Sequence, residues 1–295
     1  MRKFAACFSQ LVCLLFYFTP ELIKTSASWM LAYIWVDVLR LRRKMMLKNI
    51  ENCFPDSSPR QRIRWMRKSV FVLVKSLFDL FKIPFVNQKW INKNIVMDGF
   101  DQLKNSEGVF FLCLHMASGD LAAAVISDFI KPVSLISKRF TNQFVDEFWF
   151  STRQKSKTQF IDAHAKNNAF EILKALREKK GIAFVLDQFM GMPYGVESLF
   201  FNRKTGTAYG LALFVLKTKK PVYPMYSYFD DYGKLHLSLK PAIDLSDLID
   251  DNKSDLKNEA LKIALTNRFN AELEKIITEH PDQWMWVHNR WKVFE

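Results

Sequence analysis

The sequence predicts an α/β fold, a mixed, mostly parallel sheet flanked by helices, with an N-terminal hydrophobic, membrane-associating helical region in front of it. Three observations carry this expectation. Beyond residue 95, short apolar runs recur at lengths suited to buried strands. Segments of helical periodicity alternate with them, as crossovers between parallel strands require. Before them stand two longer apolar stretches and a dense basic cluster.

In chain order, Met1-Arg2-Lys3 and the apolar stretch Phe4 to Phe18 have the charge and length of a secretory signal. Thr19-Pro20-Glu21 follows without a small-x-small cleavage pattern, so the segment is expected to be retained. A second apolar stretch, Ser28 to Leu39, runs into Arg40, Arg42, Arg43 and Lys44. A span needs about 20 apolar residues, so the two stretches predict one interrupted, tilted helix or a helix lying in the interface. The basic cluster belongs on the cytoplasmic side. Residues 58 to 83 read as an amphipathic helix, begun by Ser58 and Pro59, with Ile63, Met66, Val70, Leu73, Leu77 and Leu80 on one face. Strands follow at Val109 to Leu114, Val133 to Ile136, Gly181 to Leu186, Val222 to Phe229 and Leu235 to Leu239. Helices are expected at Asn168 to Arg177, Ala208 to Leu216 and Leu256 to Ile277, with a surface loop at Asp244 to Ser254. No repeat or flexible linker interrupts the chain. The division expected is an anchor over 1–44 and one domain over 45–295, made of a helical lead-in segment, 45–94, and an α/β core, 95–295.

Hydrophobic residues make up 49% of the chain, rich for a soluble protein, yet 25% charged residues are too many for a polytopic membrane protein. A globular domain attached to a membrane satisfies both figures. Net charge is +13, and ten Lys or Arg against two acids fall between Arg40 and Lys68. That excess implies anionic partners: phospholipid head groups, an acidic carrier protein or nucleic acid. Cysteines 7, 13, 53 and 113 show no CxxC pair or metal-ligand spacing, which points to a reducing compartment and no metal.

The strongest chemical signal is the run ending Cys113-Leu114-His115-Met116-Ala117-Ser118-Gly119-Asp120. It delivers His115 at the carboxyl end of a buried strand, where open α/β sheets bind ligands, and Asp120 at the start of a helix. A carboxylate beside an imidazole fixes its tautomer and raises its basicity, so the pair is a candidate general base. Positions five apart do not share a helical face, so the two meet only if Ser118 and Gly119 form a turn. Asp187, followed by Gln188, ends another apolar strand and emerges on the same sheet edge if the strands are parallel. Lys138-Arg139 follows a third strand. Arg153, among Thr152, Gln154, Lys155 and Lys157, is a candidate to stabilise an oxyanion or hold a phosphate. No GxSxG, Walker loop, GxGxxG or HExxH occurs, so common hydrolase and nucleotide-binding mechanisms lack support. Lys204-Thr205-Gly206 has no partner motif and is set aside as coincidence.

Taken in order, these pieces resemble the bacterial lipid A biosynthesis late acyltransferases, the lauroyl and myristoyl transferases within the glycerolipid acyltransferases that share an H-x4-D/E motif. The likeness rests on Asn49-Ile50-Glu51-Asn52-Cys53-Phe54-Pro55, on His115 to Asp120, and on Arg139-Phe140-Thr141-Asn142 with Asp146. Arg153, Asp187-Gln188, Phe200-Phe201 with Thr207, and the closing run Pro281 to Lys292 complete it over nearly the whole chain. The resemblance implies a bacterial inner-membrane protein, with its domain facing the cytoplasm, that moves an acyl chain from acyl carrier protein or acyl-CoA onto a hydroxyl of an anionic glycolipid or phospholipid. It implies no cofactor, metal or nucleic acid. His115 then matches the base, Asp120 its orienting acid, and Arg153 and Asp187 the other catalytic positions, while Arg139, Asn142, Gln188, His288 and Arg290 are candidates for binding substrate. Phe189 stands where many members carry a second acid, and Asn202-Arg203-Lys204 replaces the usual small residues, which leaves the acceptor open to include other membrane lipids. Two further readings remain: an acyl ester or thioester hydrolase using the same pair, and a non-catalytic basic module binding membrane or nucleic acid.

Overall fold

The computed structural model describes residues 2–153, 156–249, 256 and 258–294, without the side chains of residues 2 and 3. Its strands are β1 (Ile95–Asp98), β2 (Val109–Cys113), β3 (Val133–Ser137), β4 (Gln159–Asp162), β5 (Gly181–Val185), β6 (Gly195–Phe200), β7 (Arg203–Ala208), β8 (Val222–Phe229) and β9 (Leu235–Leu239). The helices are α1 (Arg2–Phe18), α2 (Glu21–Tyr33), α3 (Arg43–Cys53), α4 (Pro59–Leu80), α5 (Gln88–Asn94), α6 (Gly119–Phe129), α7 (Gln143–Arg153), α8 (Asn168–Arg177), α9 (Gly210–Thr218) and α10 (Glu259–Glu279). Of the expected loop 244–254, residues 250–254 lie outside the described residues, as do Met1, Gln154 and Lys155.

Seven strands form one sheet in the order β1-β9-β8-β2-β5-β3-β4. All neighbours are parallel except β8 and β9, so the sheet is mixed and mostly parallel, as predicted. Its centre is β2, where Val109, Phe110, Phe111, Leu112 and Cys113 are all buried. An unbroken apolar run is what a strand covered on both faces needs. β2 and β5 run in register from Val109 opposite Gly181 to Cys113 opposite Val185. The same register carried two residues further sets His115 beside Asp187.

Helix α4 begins where the sequence indicates. The Ser58 hydroxyl accepts from the Gln61 amide at 3.2 Å, and Pro59 occupies the first turn, where its missing donor is not needed. The helix ends at Leu80 rather than residue 83, and a 3-10 turn at Ile83–Phe85 holding Pro84 follows. Helix α3 buries Asn49, whose amide donates to the carbonyls of Trp286 (3.0 Å) and His288 (2.8 Å). That contact ties a motif near residue 50 to one near residue 288: the Asn49 side chain holds the backbone of the closing run.

The N-terminal region forms two helices folded back onto the domain. Phe8 of α1 packs on Phe148 of α7, with ring centroids 5.8 Å apart. Trp29 of α2 stacks on Phe71 of α4 at 4.3 Å. Among the described residues no single helix is long and apolar enough to cross a membrane. Phe4–Phe18 and Glu21–Val38 pass that test only as a pair, bent by 107°. Their outer faces leave Phe4, Phe18, Leu22 and Ile23 exposed.

Strands β6 and β7 form a separate hairpin that the sequence reading missed. It pairs Phe200 with Arg203 and turns through Phe201 (φ 49°) and Asn202 (φ 56°), both left-handed.

Candidate active site

His115 and Asp187 meet at the carboxyl ends of β2 and β5. The imidazole Nδ1 lies 2.8 Å from Asp187 Oδ1. Asp187 Oδ2 accepts from the His115 amide at 3.0 Å and from the Trp284 indole at 2.6 Å. A buried carboxylate with donors on both oxygens and an imidazole alongside stays ionised. Burial pushes its pKa up, but the His115 charge and these hydrogen bonds outweigh that and hold it below the usual carboxylate range. The same contact acts on His115. Burial alone would lower the imidazole, yet the Asp187 charge and hydrogen bond, with a smaller contribution from Asp120, raise it above its ordinary value. An ionised acceptor at Nδ1 assigns the proton to that nitrogen, so the lone pair resides on Nε2. The Gln188 amide approaches Nε2 at 3.4 Å.

Asp120, expected to orient His115, lines the same cavity but bonds Arg153 instead: its Oδ1 takes the guanidinium at 2.5 Å. The physical reason is strand adjacency, since β5 lies next to β2 and its end supplies the nearer acid. The turn between them also differs from expectation. Gly119 already begins α6 with Ser118 as its N-cap, and the left-handed residue of the turn is Ala117 (φ 43°). The Ser76 hydroxyl reaches the Ala117 carbonyl at 2.6 Å, and Ser118 donates to Asp79 at 2.6 Å. Ser227 donates to the Met116 carbonyl (3.1 Å), and the Met285 amide to that of His115 (3.1 Å). The short run from His115 to Ser118 is thus held from three sides.

A cavity of about 490 Å³ opens at His115. Val72, Leu77 and Leu80 of α4 line it with Ala122 and Ala123 of α6 and Met225 of β8, while His115, Asp120, Lys138, Arg153 and Gln188 supply its polar part. Arg153 is almost fully buried, with its guanidinium 4.6 Å from the Trp149 ring centroid. Its Nε and Nη1 have no hydrogen-bond partner among the described residues. Two such donors beside an apolar cavity are a place for negative charge.

The remaining candidates are not among the residues that line the cavity. Arg139 pairs with Asp146 at 2.5 Å over the Phe150 ring, and Asn142 caps α7 by accepting from the Phe144 and Val145 amides. His288 Nε2 accepts from the Phe189 amide at 3.0 Å, and burial lowers its pKa to about 4, so it is neutral. Arg290 is fully buried and donates to the Thr205 hydroxyl (3.0 Å), the Gly206 carbonyl (2.5 Å) and the Thr207 hydroxyl (2.6 Å). It fastens the closing run to β7 and lines no part of the cavity. Sequence reasoning missed Asp79 and the indole of Trp284, and read Ser118 only as a turn residue. Asp79 had a signal: one acid within the apolar end of α4, with Lys75 four residues before and Lys82 three after.

A cavity-facing imidazole backed by a buried, ionised acid defines the class: an α/β enzyme with its His–Asp pair at adjacent strand ends. Residues 2–293 match the family model described as "Bacterial lipid A biosynthesis acyltransferase", and the chain belongs to that family. It is 23% identical over 265 residues to the "Lipid A biosynthesis palmitoleoyltransferase" of Escherichia coli (strain K12), covering 86% of this chain and 80% of that protein. The "Lipid A biosynthesis myristoyltransferase" of the same organism is 20% identical over 253 residues, 83% of this chain and 73% of that one. A "Lipid A biosynthesis acyltransferase" of Haemophilus influenzae is 22% identical over 273 residues, 90% and 81% of the two chains. The protein is an acyltransferase of lipid A biosynthesis.

Proposed function

We propose that the enzyme transfers a fatty acyl chain from an acyl thioester, carried by acyl carrier protein, to a hydroxyl of a lipid A precursor, with His115 as general base and Asp187 as the acid that orients it. The observation that carries this reading is the 2.8 Å contact between His115 and buried Asp187 at the mouth of an apolar cavity. His115 Nε2 accepts the proton of the acceptor hydroxyl as that oxygen attacks the thioester carbonyl. Asp187 stabilises the imidazolium that forms. The tetrahedral oxyanion then collapses, the carbon–sulfur bond breaks, and the leaving thiolate recovers the proton from His115. Arg153, held by Asp120, offers Nε–H and Nη1–H to the negative charge at the carbonyl or on the acceptor. The cavity receives the acyl chain. Net charge of +13 suits an acidic carrier as donor. The exposed apolar face of α1 and α2, with the basic cluster after it, suits seating on the cytoplasmic leaflet of an inner membrane.

The test is transfer from acyl carrier protein and from acyl-CoA to a lipid A precursor, followed by mass spectrometry of the lipid. A positioned base contributes about 10²- to 10⁴-fold, so His115→Ala is expected to lose at least about a hundredfold in turnover while staying folded, at a melting temperature lowered by the loss of Asp187's hydrogen-bond partner. Transfer at the parent rate by that variant, or free fatty acid with no acylated lipid from the parent enzyme, overturns the reading.

A further inference from the structure

Helix α4 is more than a wall of the cavity. Ser76 and Asp79, one turn apart on the same face, hold two successive residues of the turn between β2 and α6. Ser76 reaches the carbonyl of Ala117, the residue forced into the left-handed region, and Asp79 accepts the hydroxyl of Ser118. Asp79 is itself buried, as are the two lysines around it. Lys82 Nζ lies 2.6 Å from Asp79 Oδ1 and Lys75 Nζ 3.4 Å from Oδ2. Lys82 continues to Glu21 of α2 at 2.6 Å, and Lys75 also lies 4.2 Å from the centre of the Phe229 ring. Burial raises the Asp79 carboxyl, but the two lysines and the Ser118 hydroxyl outweigh it and keep it ionised. A buried ion chain is a costly way to stabilise a helix, and apolar residues would fill the same space. This one ends on the turn that carries His115 three residues before Ser118 and Asp120 two residues after it.

We propose that Asp79 is a positioning residue for the acyl-transfer reaction: acting through Ser118, it fixes the turn that sets His115 and Asp120 against the cavity. The inference rests on His115 being the base. Asp79 touches neither substrate nor imidazole, so its effect belongs in turnover rather than in donor binding, and it passes through one hydroxyl.

The experiment uses the full chain in lipid vesicles, with an acyl carrier protein thioester and a lipid A precursor, and compares Ser118→Ala, Asp79→Asn and the double variant beside His115→Ala. Ser118→Ala removes one oxygen and leaves the charges paired, so it is expected to fold and to melt as the parent does. A small misplacement of reacting groups is costly, so its kcat is expected to fall about tenfold or more while KM for the donor stays within about threefold. Asp79→Asn is expected to lower kcat alone but no further in the Ser118→Ala background, because both act through one contact. Ser118→Ala within about twofold of the parent kcat, or losses that multiply in the double variant, overturns the proposal. If His115→Ala is inactive while Ser118→Ala is normal, only the clamp is wrong. If His115→Ala turns over at the parent rate, the base assignment fails and the clamp with it.

Discussion

Between Asp187 and the two strand ends, one residue's geometry sets the pH behaviour to be expected. His115 carries a pKa raised above about 6.5 because Asp187 favours its charged form. As a base it must be neutral, so kcat/KM is expected to fall as pH drops through that raised value, with the inflection above about 6.5. Asp187→Asn removes the charge that raises it. The inflection then moves to lower pH, and turnover falls by about a hundredfold as the imidazole loses its orienting partner. A pH–rate profile of both enzymes checks this, and an inflection that stays put in Asp187→Asn counts against it. The two residues were legible as strand-end polar groups following Leu114 and Leu186. Which acid bonds the imidazole was not, because that depends on β5 lying beside β2, and strand order leaves no mark on local sequence.

Elements differ in how plainly they announce themselves. β8 and β9 stand where periodicity put them, and α8 spans Asn168–Arg177 as predicted. β4 is a four-residue edge strand, Gln159–Asp162, and too short and polar to produce a pattern. The β6–β7 hairpin escaped because its two-residue turn is Phe201-Asn202, where such turns favour Asn-Gly. The strained Phe201 is supported from outside: its amide donates to Glu274 at 2.8 Å, and its ring meets Phe54 and Phe200. Arg290 serves the same hairpin. Arg290→Met is expected to cost about 2–3 kcal/mol in lost charged hydrogen bonds, lowering the melting temperature by about 5 °C. A thermal shift assay reads the first effect, and kinetics the second: the KM of the folded variant for the acceptor stays unchanged, whereas a head-group contact would raise it.

For the whole molecule, charge and hydrophobicity are divided in space. Exposed apolar side chains gather on α1 and α2, and Arg40, Lys44 and Lys48 are exposed just beyond them. Each basic residue near an anionic surface contributes about 1 kcal/mol, so replacing all three by Gln should weaken binding to phosphatidylglycerol vesicles by about a hundredfold at low salt. The difference should shrink as sodium chloride shortens the screening length. Vesicle sedimentation across a salt series measures it, and equal binding by both proteins would remove the electrostatic part of the membrane proposal. Composition made this division readable early, but the 107° bend that folds both helices onto α4 and α7 follows from contacts between distant aromatic residues.

The ion chain from Glu21 to Asp79 bears on how the enzyme should be prepared. Cutting away the first 33 residues is the obvious way to remove the exposed apolar side chains of α1 and α2, yet that cut takes the only carboxylate besides Asp79 that pairs with Lys82 among the described residues. It also strips Phe16 from the ledge formed by Phe78 and Phe81. A trimmed enzyme would therefore carry its damage inward, toward the seat of the imidazole, and sluggish turnover by such a fragment would say little about the intact chain.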